Sequence, residues 1–361
     1  MFNLSDVGLQ SLIILLVLGA GILLSCKRRT DREIFPISVT QELKGFAILL
    51  VIFSHVGNFL IHGGQFLSPM SHFSQAGVDL FLLLSGYGLT VSNIKRPQKP
   101  LAFYKRLLKL FVPFWLLLIA LLLIDFLVLD RTYTTSVVAQ AFAGIFLQSD
   151  MGRSLNAPFW FITAITFYYL IYPLLFSKKR PWLSALAVFG IGAGIVMLSP
   201  PVLGGVMFLY KLHYVAFPAG MLLAWLITGT DVVKRLPARL TGLGSRSRWL
   251  VAALLLASLF LINPHGHAGK NAVITQALNM SFALVLLAIF IIKPISSTFL
   301  MLIGVYSFEI YLLHWPLMSR YNLLYGHIPG WAATLIYLGI ALGLSYVLQA
   351  LTNRILPSKA K

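Results

Sequence analysis

The sequence predicts an all-α polytopic membrane protein with about eleven transmembrane helices. Hydrophobic residues make up 58% of the 361 positions and charged residues only 11%, which lies outside the range of soluble globular domains. The apolar residues form runs of about 20, the length that crosses the hydrocarbon core of a bilayer as a helix. Most cations lie between these runs. Together these observations exclude a water-soluble fold.

No connector between the apolar runs is long enough to hold a soluble domain, so we expect one membrane domain over residues 1–361. The first run follows no basic region and precedes no convincing cleavage site, which favours a retained helix over a signal peptide. The predicted spans are residues 7–26, 43–62, 76–94, 107–129, 158–177, 182–199, 203–227, 249–263, 272–292, 299–319 and 330–350.

The distribution of positive charge predicts an outside N-terminus and an inside C-terminus. When the eleven runs cross in alternation, 23 of the 28 Lys and Arg side chains fall on one side, which the positive-inside rule makes cytoplasmic. A crossing by the mixed-polarity segment 133–149 would remove this bias, so we expect a surface or re-entrant helix there. The net charge of +18 therefore reflects the orientation of the chain in the cell membrane and its contact with lipids. No nucleic-acid partner is predicted.

Several kinds of chemistry have no support in the sequence. The single cysteine, Cys26, excludes an intramolecular disulfide framework and a cysteine-based metal site. The HExxH, P-loop and GxSxG signatures are absent, which argues against a metalloprotease, a motor-type ATPase and an ordinary serine hydrolase. His265 and His267 lie in a predicted outer loop, and two loop histidines are weak evidence for a metal. We therefore expect no metal cofactor.

A histidine and a lysine mark the second run. His55 lies inside it and Lys44 at its cytoplasmic start, on nearly the same helical face and about 16 Å apart along the axis. An ionisable side chain at the depth of His55 is rare unless it faces the protein interior or a water-filled path. A packing histidine that bonds to a hydroxyl or carbonyl is an equal alternative.

The third run carries a carboxylate near its outer end. Asp79 needs a partner there, and His55 on the preceding helix is a candidate. A structural role at the helix start is equally compatible with its position. Further along, Ser85, Gly86 and Gly88 form a small-residue face at which another helix is expected to approach closely.

Three cations cluster at the predicted cytoplasmic mouth of the fourth run: Lys105, Arg106 and Lys109. Such a cluster suits the phosphate groups of a coenzyme or nucleotide donor. On composition alone, membrane orientation and contact with anionic lipids are the favoured explanation.

Polar residues also follow one face of the tenth run. Ser307, Tyr311 and His314 have i, i+4, i+7 spacing, whereas Glu309 is expected to point elsewhere. Two ionisable side chains and a tyrosine on one helix favour a role in lining a site. For His213 in the seventh run, a structural and a path-lining role both remain open.

Four sequence blocks occur in the order and spacing of one known family. They are LKGFAILLVIFSH at 43–55, GVDLFLLLSGYGL at 77–89, FYKRLLKLFVPFW at 103–115 and YSFEIYLLHWPL at 306–317. A weaker fifth block is PFWFITAITFYYLIYPLL at 158–175. By these blocks the chain resembles the integral-membrane acyltransferase family 3, the O-acyltransferases that modify bacterial cell-surface and exported glycans.

The resemblance implies a ten-helix core over about residues 40–350, with the run at 7–26 as an additional N-terminal helix. It also implies transfer of an acyl group, usually acetyl from acetyl-CoA, to a hydroxyl of a glycan or a lipid-linked sugar. Some members carry an extracellular esterase-like domain that this sequence lacks, so a stand-alone member is expected.

The family's essential intramembrane histidine corresponds to His55, and its basic residue eleven positions earlier to Lys44. Its paired basic motif corresponds to Arg106 and Lys109. Two of these positions are arginine in the family and lysine here, which keeps the charge but loses bidentate geometry. Acyl transfer needs a base or an acyl carrier, and His55 is the candidate for either role. The predicted catalytic residues are His55, Asp79, Tyr311 and His314, and the predicted donor-binding residues are Lys44, Lys105, Arg106 and Lys109.

Two other functional classes compete with the enzyme. A transporter or flippase for a lipid-linked sugar also places polar residues along a membrane path, but it is expected to show inverted repeats, and the sequence contains none that we detect. A non-catalytic membrane scaffold predicts that His55 can be replaced without consequence.

Overall fold

The computed structural model describes residues 2–31, 33, 35–63, 65–68, 70–95, 100–149, 155–229, 245–261 and 271–356. Long apolar helices dominate these ranges, because the bilayer interior has no water to form hydrogen bonds with unpaired backbone N–H and C=O groups. Two three-residue strands pair with each other, β1 (Cys26–Arg28) and β2 (Ile295–Ser297). The helices are α1 (Val7–Leu24), α2 (Ile37–His55), α3 (Ser74–Lys95), α4 (Pro100–Val128), α5 (Thr135–Phe142), α6 (Trp160–Leu175), α7 (Pro181–Leu198), α8 (Met207–His213), α9 (Ala216–Gly229), α10 (Ser245–Leu261), α11 (Ala272–Ile292), α12 (Thr298–Val305), α13 (Ser307–Trp315) and α14 (Gly330–Ile355).

The eleven predicted spans all coincide with helices. Within the described ranges, nine helical stretches are long and apolar enough to cross a membrane, and a pair bent by 68° (Thr298–Val305 with Ser307–Arg320) forms a tenth candidate. The remaining prediction, 249–263, coincides with the 17-residue helix α10, and its last two residues lie outside the described ranges. The fold class predicted from the sequence is confirmed.

One contact between distant segments shows that the chain crosses the membrane an even number of times between them. The antiparallel pairing of β1 with β2 places residues 26–28 and 295–297 on the same side of the membrane. An even number of crossings must separate them, as the eight predicted spans between them provide. Helix α5 in the segment 133–149 has eight residues, about 12 Å of helix, which is too short to cross. The inside and outside assignment itself stays a prediction.

Close helix crossings hold the bundle together at glycines. A Cβ on Gly45 would lie 2.1 Å from the Leu300 carbonyl oxygen, and one on Gly304 would lie 1.8 Å from that of Gln41. The pair α2 and α12 therefore packs backbone against backbone, as membrane helices do at small residues. Helices α3 and α9 cross in the same way, with Gly86 against Phe217 and Gly220 against Leu83.

The predicted small-residue face on α3 is only partly correct. Gly86 makes the close contact, but a Cβ on Gly88 would meet nothing within 4 Å, and Ser85 lines a cavity. Residues two apart on a helix point in nearly opposite directions, so Gly86 and Gly88 do not share a partner.

Buried polar contacts connect the helices near both ends of the bundle. On the predicted cytoplasmic side, Lys293 forms an ion pair with the buried Glu42. On the outer side, Asp125 near the end of α4 accepts from Arg320 (2.6 Å), Tyr321 (2.7 Å) and Tyr133 (2.5 Å). Burial and the bond to Asp125 raise the pKa of Tyr133 to about 12, so this phenol stays protonated and donates. These contacts fix the ends of the helices that carry the polar residues discussed below.

Candidate active site

A cavity of about 830 Å³ lies between the helices and reaches toward both sides of the membrane. Near the predicted cytoplasmic side it is lined by Arg106 and Lys109, and near the outer side by His72 and Ser149. His55 lies on its wall between these ends. The volume is within the range of sites that enclose small molecules.

His55 is held by a second histidine. Its Nδ1 lies 2.8 Å from Nε2 of His314, and the two rings stack with centroids 5.0 Å apart. The Nδ1 of His314 lies 2.7 Å from the carbonyl oxygen of Tyr311. The sequence did not predict this pairing, because helix spacing alone does not show which faces of α2 and α13 meet.

The chain of contacts fixes the tautomer of both rings when they are neutral. A carbonyl oxygen only accepts hydrogen bonds, so Nδ1 of His314 carries the proton and its Nε2 accepts. His55 must then donate from Nδ1. The lone pair of His55 therefore lies on Nε2, and its ring lines the cavity. This is the arrangement that a general base requires.

The local backbone changes within two residues after each of the two histidines. His55 is the last residue of α2 and is followed by a π-helical turn, Val56–Leu60. A second π-helical turn, Pro316–Arg320, follows α13, in which His314 is the penultimate residue. Pro316 lacks an N–H and so weakens the regular α-helical bonding. Single π turns inside helices are frequent at functional sites.

Tyr311 and His314, two of the three residues of the predicted stripe on α13, have different surroundings. Tyr311 lines the cavity, but its hydroxyl donates to the carbonyl oxygen of Pro158. His314 is fully buried and uses both ring nitrogens in the contacts with His55 and Tyr311. The donor hydrogens of both side chains are therefore used in contacts within the protein.

Glu309 lies on the cavity wall, contrary to the sequence-based expectation that it points elsewhere. The bend between α12 and α13 explains the difference, since Gly304, Val305 and the first turn of α13 all line the cavity. Glu309 interacts electrostatically with Lys44 of α2, which lines the same cavity.

Asp79 does not pair with His55, so this sequence-based expectation was wrong. Its Oδ1 lies 2.8 Å from Nδ1 of His213 at the end of α8, and both side chains are buried. The ring of His213 stacks on Trp160, with centroids 5.5 Å apart. His213 lines the cavity, as do His55 and His72.

The cations at the predicted cytoplasmic mouth divide into two groups. Arg106 and Lys109 line the cavity, and Arg106 donates to Ser92 on α3 at 2.7 Å. Lys105 is exposed and is not part of the cavity wall, because neighbouring residues on a helix point about 100° apart. The loop histidines 265 and 267 lie outside the described residues.

One comparison with known proteins assigns the chain to a family. The family model Acyl_transf_3, described as an acyltransferase domain, matches residues 43–350. The chain belongs to this membrane acyltransferase family. No curated protein and no solved structure matched significantly.

Two features of the cavity wall in this acyltransferase were not predicted from the sequence. They are the position of Glu309 on the wall and the pairing of His213 with Asp79. A signal for His213 was present, because an ionisable residue in a span is uncommon. Nothing in the sequence, however, indicated that α8 packs beside the start of α3. In the structure, His55 and Lys44 share the cavity wall with Arg106 and Lys109.

Proposed function

We propose that this acyltransferase transfers an acyl group, acetyl from acetyl-CoA as the expected donor, to a sugar hydroxyl. The acceptor is a glycan of the cell surface, an exported polysaccharide or its lipid-linked precursor, and the enzyme acts in the cell membrane. The observation that carries the proposal is the single cavity in which His55 lies between a cationic end and a polar outer end, with its Nδ1 held by His314.

The cationic end suits the donor. Arg106 and Lys109 line the cavity near the predicted cytoplasmic side, where the phosphates of a coenzyme would arrive, and Lys44 lines the same cavity. Lys44 and His55 are about 16 Å apart along α2, a distance over which an extended pantetheine arm can reach. The coenzyme phosphates then stay at the mouth while the thioester reaches His55.

The chemistry at His55 follows from its tautomer. Nε2 takes the proton of the acceptor hydroxyl while the hydroxyl oxygen attacks the thioester carbonyl carbon. The tetrahedral intermediate collapses, the carbon–sulfur bond breaks, and the departing thiolate recovers the proton from His55. No net proton is gained or lost by the protein, and His314 keeps the ring oriented throughout.

The test is acyl transfer by purified protein in phospholipid nanodiscs, which avoids glycoside detergents that can act as acceptors. The protein is incubated with [¹⁴C]acetyl-CoA and the envelope glycan fraction of the source cells. We expect labelled glycan from the native chain and a loss of about 10²- to 10⁴-fold in His55→Ala.

The matched control is His62→Ala, because His62 is an exposed histidine just beyond the same helix. Near-native transfer by His55→Ala would refute the role of His55. Movement of a lipid-linked sugar across a vesicle membrane without incorporation of label would favour the flippase instead.

A further inference from the structure

The pair of Asp79 and His213 has no role in the steps described above, yet it is costly to bury. Their side chains are 1% and 3% exposed. A buried hydrogen-bonded pair of this kind is weak evidence for stability, since well-packed apolar residues often stabilise such a position equally well. The second carboxylate oxygen of Asp79 also has no hydrogen-bond partner among the described residues. We therefore expect the pair to have a functional role.

The contact with Asp79 fixes the tautomer of His213. A carboxylate accepts, so Nδ1 of His213 carries a proton and donates to Asp79. The lone pair of a neutral ring is then on Nε2, and His213 lines the cavity. Stacking on Trp160 holds the plane of the ring. His213 therefore presents a fixed hydrogen-bond acceptor.

Two amide side chains complete the polar wall of the outer half. Asn58 lines the cavity and uses its amide hydrogens on Ser54 (2.9 Å) and the Ser71 carbonyl (3.0 Å). Its oxygen is consequently the group left for a ligand. Gln75 also lines the cavity, and its oxygen accepts from Asn279 at 2.6 Å, so its amide hydrogens are available to donate.

We infer that this outer half is the acceptor-binding site, in which His213 and Asn58 accept hydrogen bonds from sugar hydroxyls and Gln75 donates one. The inference rests on the proposed function and deepens it. Adjacent hydroxyls of a sugar can each donate and accept a hydrogen bond. A wall with two fixed acceptors and one donor is complementary to such a group of hydroxyls. The acceptor class is therefore a polyhydroxylated sugar rather than a simple alcohol, and Asp79 acts as a positioning residue for His213.

The test measures the acceptor and donor reactions separately in nanodiscs. The acceptor reaction is transfer from [¹⁴C]acetyl-CoA to the envelope glycan fraction at varied glycan concentration. The donor reaction is hydrolysis of acetyl-CoA without glycan. For His213→Phe we expect the glycan KM to rise about five- to tenfold, with hydrolysis within about twofold of native, because Phe keeps the stacking on Trp160 but loses the acceptor nitrogen.

A second variant separates the loss of the acceptor nitrogen from an effect of misfolding. His213→Phe alone leaves Asp79 buried without a partner, whereas the double variant His213→Phe with Asp79→Leu removes the pair as a whole, which is tolerated far better. The double variant should show the same rise in glycan KM. His327→Phe, at an exposed outer histidine, is the control and should behave as the native chain.

The outcomes separate the inference from the function on which it rests. A native glycan KM in both variants would overturn the inference alone. A parallel loss of transfer and hydrolysis in both variants would also overturn it, because that pattern indicates a purely structural pair. If the native chain labelled no glycan, the proposed function would fail and this inference with it.

Discussion

His314 controls which nitrogen of His55 is available for chemistry. Its replacement by Phe preserves a planar ring against His55 but removes the acceptor for the His55 Nδ1 proton. The imidazole is then free to rotate and to change tautomer. Misplacement of a catalytic group by about 1 Å costs on the order of 10²-fold in rate, so we expect a fall of that order in kcat.

The measurement is steady-state transfer kinetics of His314→Phe in nanodiscs. A positioning role predicts a lower kcat with the KM values for acetyl-CoA and glycan near native, because His314 touches neither substrate in the proposed arrangement. A raised donor KM with unchanged kcat would contradict it.

Three neighbouring cations on α4 provide a test with an internal control. Arg106 and Lys109 line the cavity, whereas Lys105 is exposed outside it. If the first two bind coenzyme phosphates, Arg106→Ala and Lys109→Ala should each raise the KM for acetyl-CoA about tenfold, as expected for loss of a charge-assisted contact. Lys105→Ala removes the same charge from the same helix and should leave that KM unchanged.

The outcome is read from initial rates at varied acetyl-CoA. Equal effects of all three substitutions would favour a general electrostatic attraction at the membrane surface. An unchanged donor KM with altered expression or orientation would favour the alternative that these cations serve topology and lipid contact.

At the scale of helices, close approach depends on which glycine faces the neighbour. Gly86 and Gly88 lie on the same helix, but only Gly86 would bring a Cβ against backbone, 2.2 Å from the Phe217 carbonyl oxygen. Gly86→Ala must therefore push α9 away from α3 and should cost about 1–3 kcal/mol. Gly88→Ala meets open space and should not destabilise the protein.

Thermal unfolding of the two variants in nanodiscs measures this difference. A lower apparent Tm for Gly86→Ala than for Gly88→Ala is expected. Equal Tm values would mean that α3 and α9 do not cross as closely as described.

The positions of the helices could be predicted from the sequence, but the contacts between the helices could not. The spans follow from the length of apolar segments that a bilayer requires, and each predicted span coincides with a helix. The partner of Asp79 depends instead on how α3 and α8 are rotated and which helices are neighbours, and neither is encoded in local periodicity. The same limitation applies to the pairing of His55 with His314, which joins residues 259 positions apart.

At the scale of the whole molecule, the orientation in the membrane is the remaining prediction. The charge bias places the loop after α4 outside and the loop after α6 inside. Thr132 and Lys179 are exposed residues in these two loops. Only one span, α6, separates them if α5 stays at the surface, so they must lie on opposite sides. If the segment containing α5 crossed, they would lie on the same side.

Labelling of single cysteines with a membrane-impermeant maleimide decides between these arrangements. Thr132→Cys and Lys179→Cys are each introduced into a Cys26→Ser background, which removes the only native thiol. In spheroplasts we expect labelling of Thr132→Cys only, and in inverted vesicles of Lys179→Cys only, because the reagent reaches one face in each preparation. Labelling of both positions from one face would show that the segment 133–149 crosses. Labelling of each position from the opposite face would reverse the orientation, place Arg106 and Lys109 outside, and remove their access to a cytoplasmic coenzyme.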